Sequence, residues 1–324
     1  MLKPLGACLV LSAILLTTRS ASAELIPGYE NVIGGNLNGQ AQIEGRTIVR
    51  GDVLGGFAQF GTGLVPPAVY ANADTLLVGG NLQSSGLTMH AGDVRLGGTN
   101  SGATVNLNGP GSELFQNDST ALSSANAAVS QLGLASDFYS NAAVNSTTTI
   151  VGTNITLNPL PGPDGLAVLA VNAVNIQNAL FSLAVAGVPP DTRFLINVVG
   201  NLSSDPILAN FDASFADPAI YSRILWNFQD QTSELNLSRE WYGSILLPDA
   251  SLVTTSAING MVLVGGDFTS SSEVRFPEFQ GFTPFAVPEL SSFFLATLAG
   301  LGYLVSRRKR DRKSDPSIGG PISR

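Results

Sequence analysis

Few residues in this 324-residue sequence can carry acid–base or nucleophilic chemistry. His90 is the only histidine and Cys8 the only cysteine, so a Ser-His-Asp or Cys-His unit would have to use one of them. His90 lies where we expect a strand to end, a position that does not favour catalysis. A histidine-based zinc site is excluded because the further ligands it needs are missing from the sequence.

Paired carboxylates are the serious enzymatic alternative, because glycoside hydrolysis needs two carboxyl groups about 5–9.5 Å apart. Asp52 and Asp93 occur in similar repeated phrases, which could place them on neighbouring turns of a β-helix. Turn capping is the simpler interpretation of both aspartates. Lyases of this shape usually need a basic residue and calcium, and the mature region has no lysine. We therefore predict that the protein is not an enzyme and keep a polysaccharide-active β-helix as the alternative.

Two neighbouring aromatic residues, Trp241 and Tyr242, are candidates for a ligand surface. They stand in a polar context, where aromatic rings are free to stack on carbohydrate. Trp226 lies instead in an apolar strand, residues 224–228, and is expected in the core. No catalytic residue and no cofactor-binding residue is predicted.

The exposed region is strongly acidic. Residues 24–287 hold 7 Arg, no Lys and 21 Asp plus Glu, a balance of −14. Such a surface repels phosphates, so we expect no binding to nucleic acid. It suits an extracellular protein, and structural calcium held by Asp and Asn oxygens is an alternative to the predicted absence of any cofactor. No EF-hand loop is present, and this region has no cysteine for a disulfide.

The N-terminus predicts a secretory signal peptide. Lys3 precedes an apolar run at residues 5–16, and a polar stretch then ends in an A-x-A site formed by Ala21 and Ala23. We expect cleavage after Ala23. Cys8 precedes the apolar run instead of following it, so the interpretation as a lipoprotein is not favoured.

The C-terminus predicts a membrane segment. An uncharged run at residues 291–306 would span about 24 Å as a helix, somewhat less than the roughly 30 Å core of a bilayer. Flanking residues can make up that difference. A basic cluster follows directly, and would stay cytoplasmic while the large domain lies outside. A buried terminal helix is the alternative.

This C-terminal arrangement resembles the PEP-CTERM sorting signal, which exosortase recognises in Gram-negative bacteria that make extracellular polysaccharide. The residues that carry the resemblance are Val287, Pro288, Glu289, Arg307, Arg308, Lys309 and Arg310. Two features depart from the family: Leu290 replaces a usual proline, and a polar tail continues at residues 311–324. The resemblance implies exosortase-type machinery and the inner membrane as partners.

Repeated phrases of an apolar strand, a Gly pair and Asn or Asp organise the body of the chain. They occur at residues 32–37, 77–82 and 263–268, in short form at 199–202, and as a related phrase at 51–56 and 92–98. Glycine supplies positive φ and close backbone approach at a corner, and Asn or Asp caps turns. Their irregular spacing favours a β-solenoid, in which Asn side chains at successive corners stack in ladders. A β-sandwich is the alternative.

One helix is predicted beside these strands, with Asp118 or Ser119 as N-cap and Gly133 just past its end. Positions 122, 125, 129 and 132 would form its apolar face. Strands are predicted at 147–151, 167–171, 194–199, 224–228, 244–247 and 261–264. The predicted fold class is all-β: a parallel β-helix-like solenoid with one flanking α-helix, plus a C-terminal single transmembrane helix.

The body also resembles the choice-of-anchor A family of bacterial surface domains over residues 29 to about 282. The matching phrases are Tyr29-Glu30-Asn31-Val32, Ile43-Glu44-Gly45-Arg46-Thr47-Ile48-Val49-Arg50-Gly51-Asp52-Val53, Leu77-Val78-Gly79-Gly80-Asn81-Leu82, Leu195-Ile196-Asn197-Val198-Val199-Gly200, Ile224-Leu225-Trp226-Asn227-Phe228, Gly243-Ser244-Ile245-Leu246-Leu247-Pro248-Asp249-Ala250 and Ile258-Asn259-Gly260. The resemblance implies an adhesive or matrix domain with a β-helix-like fold. Arg275 departs from the family, which often has histidine there.

Four segments follow from these observations: a signal peptide at 1–23, a β domain at 24–286, a sorting and transmembrane segment at 287–310, and a polar cytoplasmic tail at 311–324. We predict a non-catalytic exported surface or matrix protein of a Gram-negative-type bacterium, associated with adhesion or biofilm. Extracellular polysaccharide or a cell-surface molecule would be its ligand. An ice-binding-like role is a further alternative, which would want a flat face of regularly spaced threonines.

Overall fold

The computed structural model describes residues 29–275, in which short strands succeed one another on both sides of a single long helix. Before that helix the strands are β1 (Asn31–Ile33), β2 (Leu37–Gly39), β3 (Gln42–Ile43), β4 (Thr47–Val49), β5 (Phe57–Phe60), β6 (Asp74–Val78), β7 (Gly86–Met89), β8 (Asp93–Leu96), β9 (Thr104–Leu107) and β10 (Leu114–Phe115). The long helix is α1 (Ala121–Ser140). After it come β11 (Thr147–Val151), β12 (Asn154–Asn158), β13 (Leu166–Asn172), β14 (Leu180–Leu183), β15 (Arg193–Val199), β16 (Asn210–Phe211), the short helix α2 (Pro218–Tyr221), β17 (Ile224–Asn227), β18 (Leu235–Leu237), β19 (Trp241–Tyr242), β20 (Ser244–Leu247), β21 (Leu252–Thr254), β22 (Ile258–Asn259), β23 (Val262–Val264), β24 (Phe268–Ser270) and β25 (Glu273–Arg275). Single 3-10 turns lie at Pro67–Tyr70, Ala173–Asn175 and Ala213–Phe215.

These strands form four sheets, three of which are built by stacking rungs. Sheet A has the order β10-β8-β6-β4-β1-β23-β20-β17-β15-β13, sheet B the order β18-β21-β24-β2, and sheet C the order β19-β22-β25-β3-β5-β7-β9. Every strand pair in these three sheets is parallel. The structure is therefore mostly β with parallel sheets, and the β-sandwich alternative is wrong because its two sheets would be antiparallel.

The rungs lie in a different order in space than in the chain. The first rung, β1 to β3, has the last rung, β23 to β25, on one side and the second rung on the other. The chain builds rungs from β1 towards β10, passes along α1, and then builds the remaining rungs from β13 back to the first. Sheet D, with the order β11-β12-β14-β16, belongs to the end where β13 lies.

Inward-facing side chains of successive rungs form the apolar core. In sheet A, Val264, Ile33, Val49, Val78 and Leu96 follow one another in register and are each 0% exposed. Burial of a side chain of this size stabilises a fold by roughly 1.5–3 kcal/mol. Because the described region has no cysteine, this stacked core replaces disulfides as the source of stability.

Glycine pairs make the corner between sheets A and B possible. A methyl group on Gly265 would fall on the carbonyl oxygen of Pro248, one on Gly34 would fall on that of Gly265, and one on Gly97 on that of Gly79. These corner glycines are not among the residues with positive φ. The prediction of close backbone approach is confirmed. The predicted positive φ occurs at Gly55 and Gly200 in the related phrases, but not at the glycines of this corner.

Asn and Asp side chains form a ladder along the same corner. The backbone N–H of Asn36 donates to Asp267 Oδ1 at 2.6 Å, and that of Asp52 donates to Asn36 Oδ1 at 2.9 Å. The next two steps repeat this contact, from Asn81 N to Asp52 Oδ1 at 2.6 Å and from Thr99 N to Asn81 Oδ1 at 3.0 Å. Each side chain thus satisfies a corner N–H that the neighbouring rung leaves without a ladder partner. The predicted ladder is confirmed.

Helix α1 covers the outer face of sheet A. Its buried residues are Ala121, Ala125, Ala128, Leu132, Ala135, Ser136 and Tyr139. They pack on the outward side chains Val32, Ile48, Leu77, Val168, Leu195, Leu225, Leu246 and Leu263 of the sheet. Because four of the helix residues are alanine, the helix axis can approach the sheet closely.

The boundaries of α1 differ from the prediction. Thr120 is the N-cap and makes no side-chain capping bond, although Asp118 Oδ1 accepts from Thr120 N at 2.8 Å. The helix continues through Gly133 to Ser140, so the predicted end at Gly133 is wrong. Burial of Ala135 and Tyr139 beyond it outweighs the roughly 1 kcal/mol that glycine costs inside a helix. Leu122, predicted on the apolar face, is 48% exposed.

A buried polar network fixes the C-terminal half of α1 to sheet A. Ser136 Oγ donates to Asn227 Oδ1 at 2.6 Å, and Asn227 Nδ2 donates to Ser136 O at 3.1 Å and to Asn197 Oδ1 at 2.9 Å. Asn197 Nδ2 then donates to the carbonyl of Tyr139 at 2.9 Å. Since these amides can be satisfied in one arrangement only, the network sets the position of the helix along the sheet.

An ion-pair cluster holds the segment that enters α1. Arg95 on sheet A bonds Asp74 at 3.0 Å and Asp118 at 2.5 Å, and its guanidinium lies 4.6 Å from the ring centroid of Phe115. Hydrogen bonds from Thr120, and then the bond from Arg95, lower the pKa of Asp118 to about 2. Asp118 is therefore ionised at neutral pH and forms an ion pair with Arg95.

The six strands predicted after the helix are confirmed, with shifts of one residue at some ends, as β11, β13, β15, β17, β20 and β23. The predicted signal peptide, the cleavage site after Ala23, the sorting signal and the transmembrane segment lie outside the described residues. Within residues 29–275, no helix is both long and apolar enough to cross a bilayer.

Gly265→Ala is expected to destabilise the protein by about 3 kcal/mol, because its methyl group would displace the backbone of the neighbouring rung. The melting temperature followed by circular dichroism should fall by roughly 6–12 °C. Gly133→Ala is the matched control, since nothing lies within 4 Å of its new methyl group and alanine favours a helix interior. Equal melting temperatures for Gly265→Ala and the parent would contradict the corner argument.

Asn227→Ala is expected to lower the free energy of unfolding by about 2–3 kcal/mol, because it leaves polar groups of Ser136 and Asn197 buried without partners. Urea unfolding measures this change, and hydrogen exchange should show faster opening of α1 than of the core strands. Ser130→Ala, on the exposed side of the same helix, should change the stability by less than about 0.5 kcal/mol. Similar values for the two variants would argue against the network.

Candidate ligand-binding face

The three stacked sheets offer unequal outer surfaces. Helix α1 occupies the outer face of sheet A. Sheet B presents one outward residue per strand, and the in-register residues Asn236, Val253, Thr269 and Asn38 are of mixed character. Sheet C has seven strands and a broader, mainly polar outer face, so it is the strongest candidate for a ligand surface.

A row of polar side chains runs across sheet C, one from each successive rung. In register these residues, here called the polar row, are Glu273, Gln42, Gln59, Thr88 and Asn106. Rungs of a sheet are about 4.8 Å apart, so the row places polar side chains at that repeat, with Thr88 only 7% exposed. The apolar residue after each of them turns inward, as at Ile43, which lies in the core.

A second group of side chains continues this face at the level of β19, β22 and β25. Glu240 accepts three hydrogen bonds, from Tyr242 Oη at 3.1 Å, Asn259 Nδ2 at 2.9 Å and Arg275 Nη1 at 3.0 Å. Arg275 Nε also donates to Glu273 Oε2 at 2.8 Å. The side chains of Arg275, Glu240 and Glu273 are 44%, 42% and 40% exposed, so this Glu240 network is ordered and still open to solvent.

Two tyrosines border the Glu240 network. The rings of Tyr221 and Tyr242 lie 5.8 Å apart and both are half-buried. Burial, and then the hydrogen bond to Glu240, raises the pKa of Tyr242, and burial raises that of Tyr221. The hydrogen bond to Glu273 raises the pKa of Arg275. At neutral pH the two phenols are therefore uncharged and Arg275 is a cation.

The predicted pair of aromatic residues separates in the structure. Trp241 is 1% exposed and packs in the core against Phe211 and Trp226, so its predicted place on a ligand surface is wrong. Neighbouring side chains of a strand point to opposite faces, which leaves only Tyr242 on the outside. Trp226 is fully buried, and its predicted core position is confirmed.

The candidates for catalysis have structural roles. Asp52 belongs to the corner ladder, whereas Asp93 lies in sheet A opposite Asp74 and accepts from Glu113 N at 2.8 Å, so their predicted equivalence is wrong. The two phrases share letters but occupy different corners of the rung. His90 Nε2 lies 3.1 Å from Gln59 Oε1, so its ring contacts a neighbouring side chain of sheet C.

A shallow groove lies beside the corner of sheets A and B. Its volume is about 410 Å³, and its lining includes Glu234, Asp249 and Ser251. Both carboxylates are exposed to solvent. Residues 29–275 contain no group of three or more His, Cys, Asp or Glu able to hold a metal ion.

The sequence interpretation missed most of this face. Glu240, Asn259 and the polar row were not singled out, and Arg275 was noted only as a departure from a family pattern. A signal does exist: four strands of sheet C end in a polar–apolar pair, namely Gln42-Ile43, Gln59-Phe60, Thr88-Met89 and Asn106-Leu107. Strand alternation would place the first member of each pair outside.

Several solved structures resemble the chain, among them three from ice-binding proteins. A crystal structure of an ice-binding protein from the Antarctic ascomycete Antarctomyces psychrotrophicus is 13% identical, covering 78% of this chain and 97% of that one, with a TM-score of 0.39. An ice-binding protein from an Antarctic biological consortium is 17% identical, with coverages of 84% and 93% and a TM-score of 0.31. The DUF3494 domain of Shewanella frigidimarina ice-binding protein 1 is 16% identical, with coverages of 78% and 96% and a TM-score of 0.35.

One family of protein domains matches the chain over nearly all of its folded body. The family is described as "Putative Ice-binding-like adhesive domain", and its match covers residues 23–276. That range includes every described strand and both described helices. No curated protein matches the chain. The chain therefore belongs to this family of ice-binding-like adhesive domains.

Proposed function

We propose that the protein is a non-catalytic, exported surface adhesin that binds extracellular polysaccharide through the outer face of sheet C. The observation that carries this proposal is the polar row, whose members stand in register on successive rungs. A polysaccharide is itself a chain of repeated units with hydroxyl groups. A periodic row of amide and hydroxyl side chains is therefore a suitable surface for it.

The Glu240 network supports the same proposal. Its carboxylates accept hydrogen bonds and its arginine donates them, which matches the mixed donor and acceptor character of sugar hydroxyls. The ring of Tyr242 is held by Glu240 at the border of this network and adds a flat, partly apolar surface. Because hydrogen bonds already order these side chains, little conformational entropy would be lost when a ligand binds them.

Ice binding is the family-based alternative. A face for ice would need regularly spaced threonines, whereas the row on sheet B mixes Asn, Val and Thr, and the polar row contains one threonine, Thr88, that is 7% exposed. No array of this kind occurs on the described outer faces of sheets B and C. Adhesion to polysaccharide is therefore the function that we put forward.

Replacing Gln42 and Gln59 together by alanine is expected to weaken binding to polysaccharide roughly 5–30-fold. Each lost hydrogen bond contributes about 1 kcal/mol, and a change of 1–2 kcal/mol alters an equilibrium by that factor. The measurement is a depletion isotherm of the full-length exported chain on microcrystalline cellulose, chitin and the extracellular polysaccharide extracted from the host. Tyr242→Ala should have an effect in the same direction.

Asn38→Ala with Asn236→Ala on sheet B is the matched control, because it removes two amides from another sheet and leaves the polar row intact. The proposal fails if the sheet B variant loses binding while the sheet C variant keeps it. Thermal hysteresis of the parent without any binding to these polysaccharides would favour ice instead.

We also propose that residues 287–310 sort the protein to the cell envelope, as the resemblance to PEP-CTERM signals implies. The full-length chain should reach the envelope or matrix, and a chain ending at residue 286 should appear in the medium. Fractionation and mass spectrometry measure both, and the latter also reports whether the mature chain begins at Glu24, after Ala23. Pro288→Ala with Glu289→Ala tests the motif without deleting the apolar run. Identical soluble behaviour of all forms would reject the sorting role.

A further inference from the structure

One end of the solenoid finishes in an antiparallel strand with an open edge. Strand β11 pairs with β12 through all five of its residues, from Thr147 opposite Asn158 to Val151 opposite Asn154. It is the outermost strand of sheet D, and no strand among residues 29–275 pairs with its other edge. Such an edge presents backbone N–H and C=O groups that can accept a further strand.

This edge lacks the features by which proteins usually protect such strands. Its sequence, Thr-Thr-Thr-Ile-Val, has no charge, no proline and no glycine, and its pairing shows no bulge. All five residues are β-branched, the type most favourable in strands. Ile150 is 44% exposed and Val151 is 69% exposed. By contrast, sheet A finishes at its opposite end in the two-residue strand β10, directly after Glu113.

The charge pattern indicates which partner suits this end. Between Asp137 and Asp191 the only charged residue is Asp164, although residues 24–287 carry a balance of −14. Two copies of so acidic a protein repel each other wherever their carboxylates meet. The segment that contains β11 therefore carries few of the carboxylates that repel a second copy.

We propose that two copies of this chain associate end to end by antiparallel pairing of β11 with β11 of the second copy. A two-fold axis at Thr149 places Thr149 opposite its own equivalent and Thr147 opposite Val151. Each residue then faces a β-branched partner, with no opposed charges.

The expected affinity follows from the size of the contact. Stable interfaces usually bury about 800 Å² on each partner, and a pair of five-residue strands provides less. The dimer should therefore be weak, with a dissociation constant of roughly 1–100 μM. A dimer would carry two outer faces of sheet C, so that binding to a surface with many sites gains avidity.

Disulfide trapping tests the pairing on the full-length exported chain, which has no cysteine after Cys8 of the signal segment. Thr149→Cys should yield a disulfide-linked dimer on a non-reducing gel, because opposed residues of two antiparallel strands have Cβ atoms about 4.5–5.5 Å apart. Thr104→Cys is the matched control, since Thr104 is an exposed threonine on β9, the outermost strand of sheet C at the other end. Trapping should be at least tenfold faster for Thr149→Cys.

Sedimentation equilibrium of the full-length chain in density-matched detergent provides the second measurement. The parent should pass from monomer to dimer as its concentration rises from about 1 to 300 μM, Thr149→Lys should remain monomeric, and Thr104→Lys should behave as the parent. A parent that stays monomeric at 300 μM overturns the proposal, as does a dimer that Thr149→Lys leaves unchanged. Equal trapping of the two cysteine variants overturns it as well. Polysaccharide binding is not involved in either assay, so failure here leaves the function of sheet C untouched.

Discussion

The contact between rungs at the corner of sheets A and B is the constraint on which the rest of the structure depends. There the backbone of one rung lies directly against the backbone of the next, as Gly34 against Gly265. The side-chain oxygen of Asn36 satisfies the N–H of Asp52, which the sheets cannot reach. Close stacking and a satisfied corner therefore come from the same short phrase, and that phrase can recur at irregular intervals without loss of register.

Once the corner is fixed, the outer faces of sheets A and C differ in whether another element must cover them. Sheet A has apolar residues on both its inner and its outer face. Its outer face must therefore be covered, and the alanine-rich face of α1 covers it. The polar network around Asn227 then fixes the position of α1 on this otherwise apolar surface of sheet A. Sheet C alternates apolar residues inward with polar residues outward, and needs no cover. Which side of each strand is polar therefore already determines which sheet is covered and which sheet is open to ligands.

Much of this could be predicted from the sequence, because local rules govern it: the strands after the helix and the corner ladder follow from periodicity and turn chemistry. The end of α1 could not, since its burial by sheet A outweighs the propensity of Gly133. The burial of Trp241 could not be predicted either. Its side of the strand depends on the strand register, which its polar neighbours do not define. The Glu240 network joins residues of three successive rungs, Glu240, Asn259 and Arg275, and no pattern within one rung marks it.

The position of the first rung between later ones has a consequence for the order of assembly. Asn36 and Asp267 are hydrogen-bonded although 231 residues separate them. The rungs built on β1 therefore lack their neighbour until β23 to β25 become available, and closure of so long a loop makes the final docking slow. A polypeptide that is threaded through a membrane amino end first stays incomplete, and so still extensible, until almost its last folded residue has crossed.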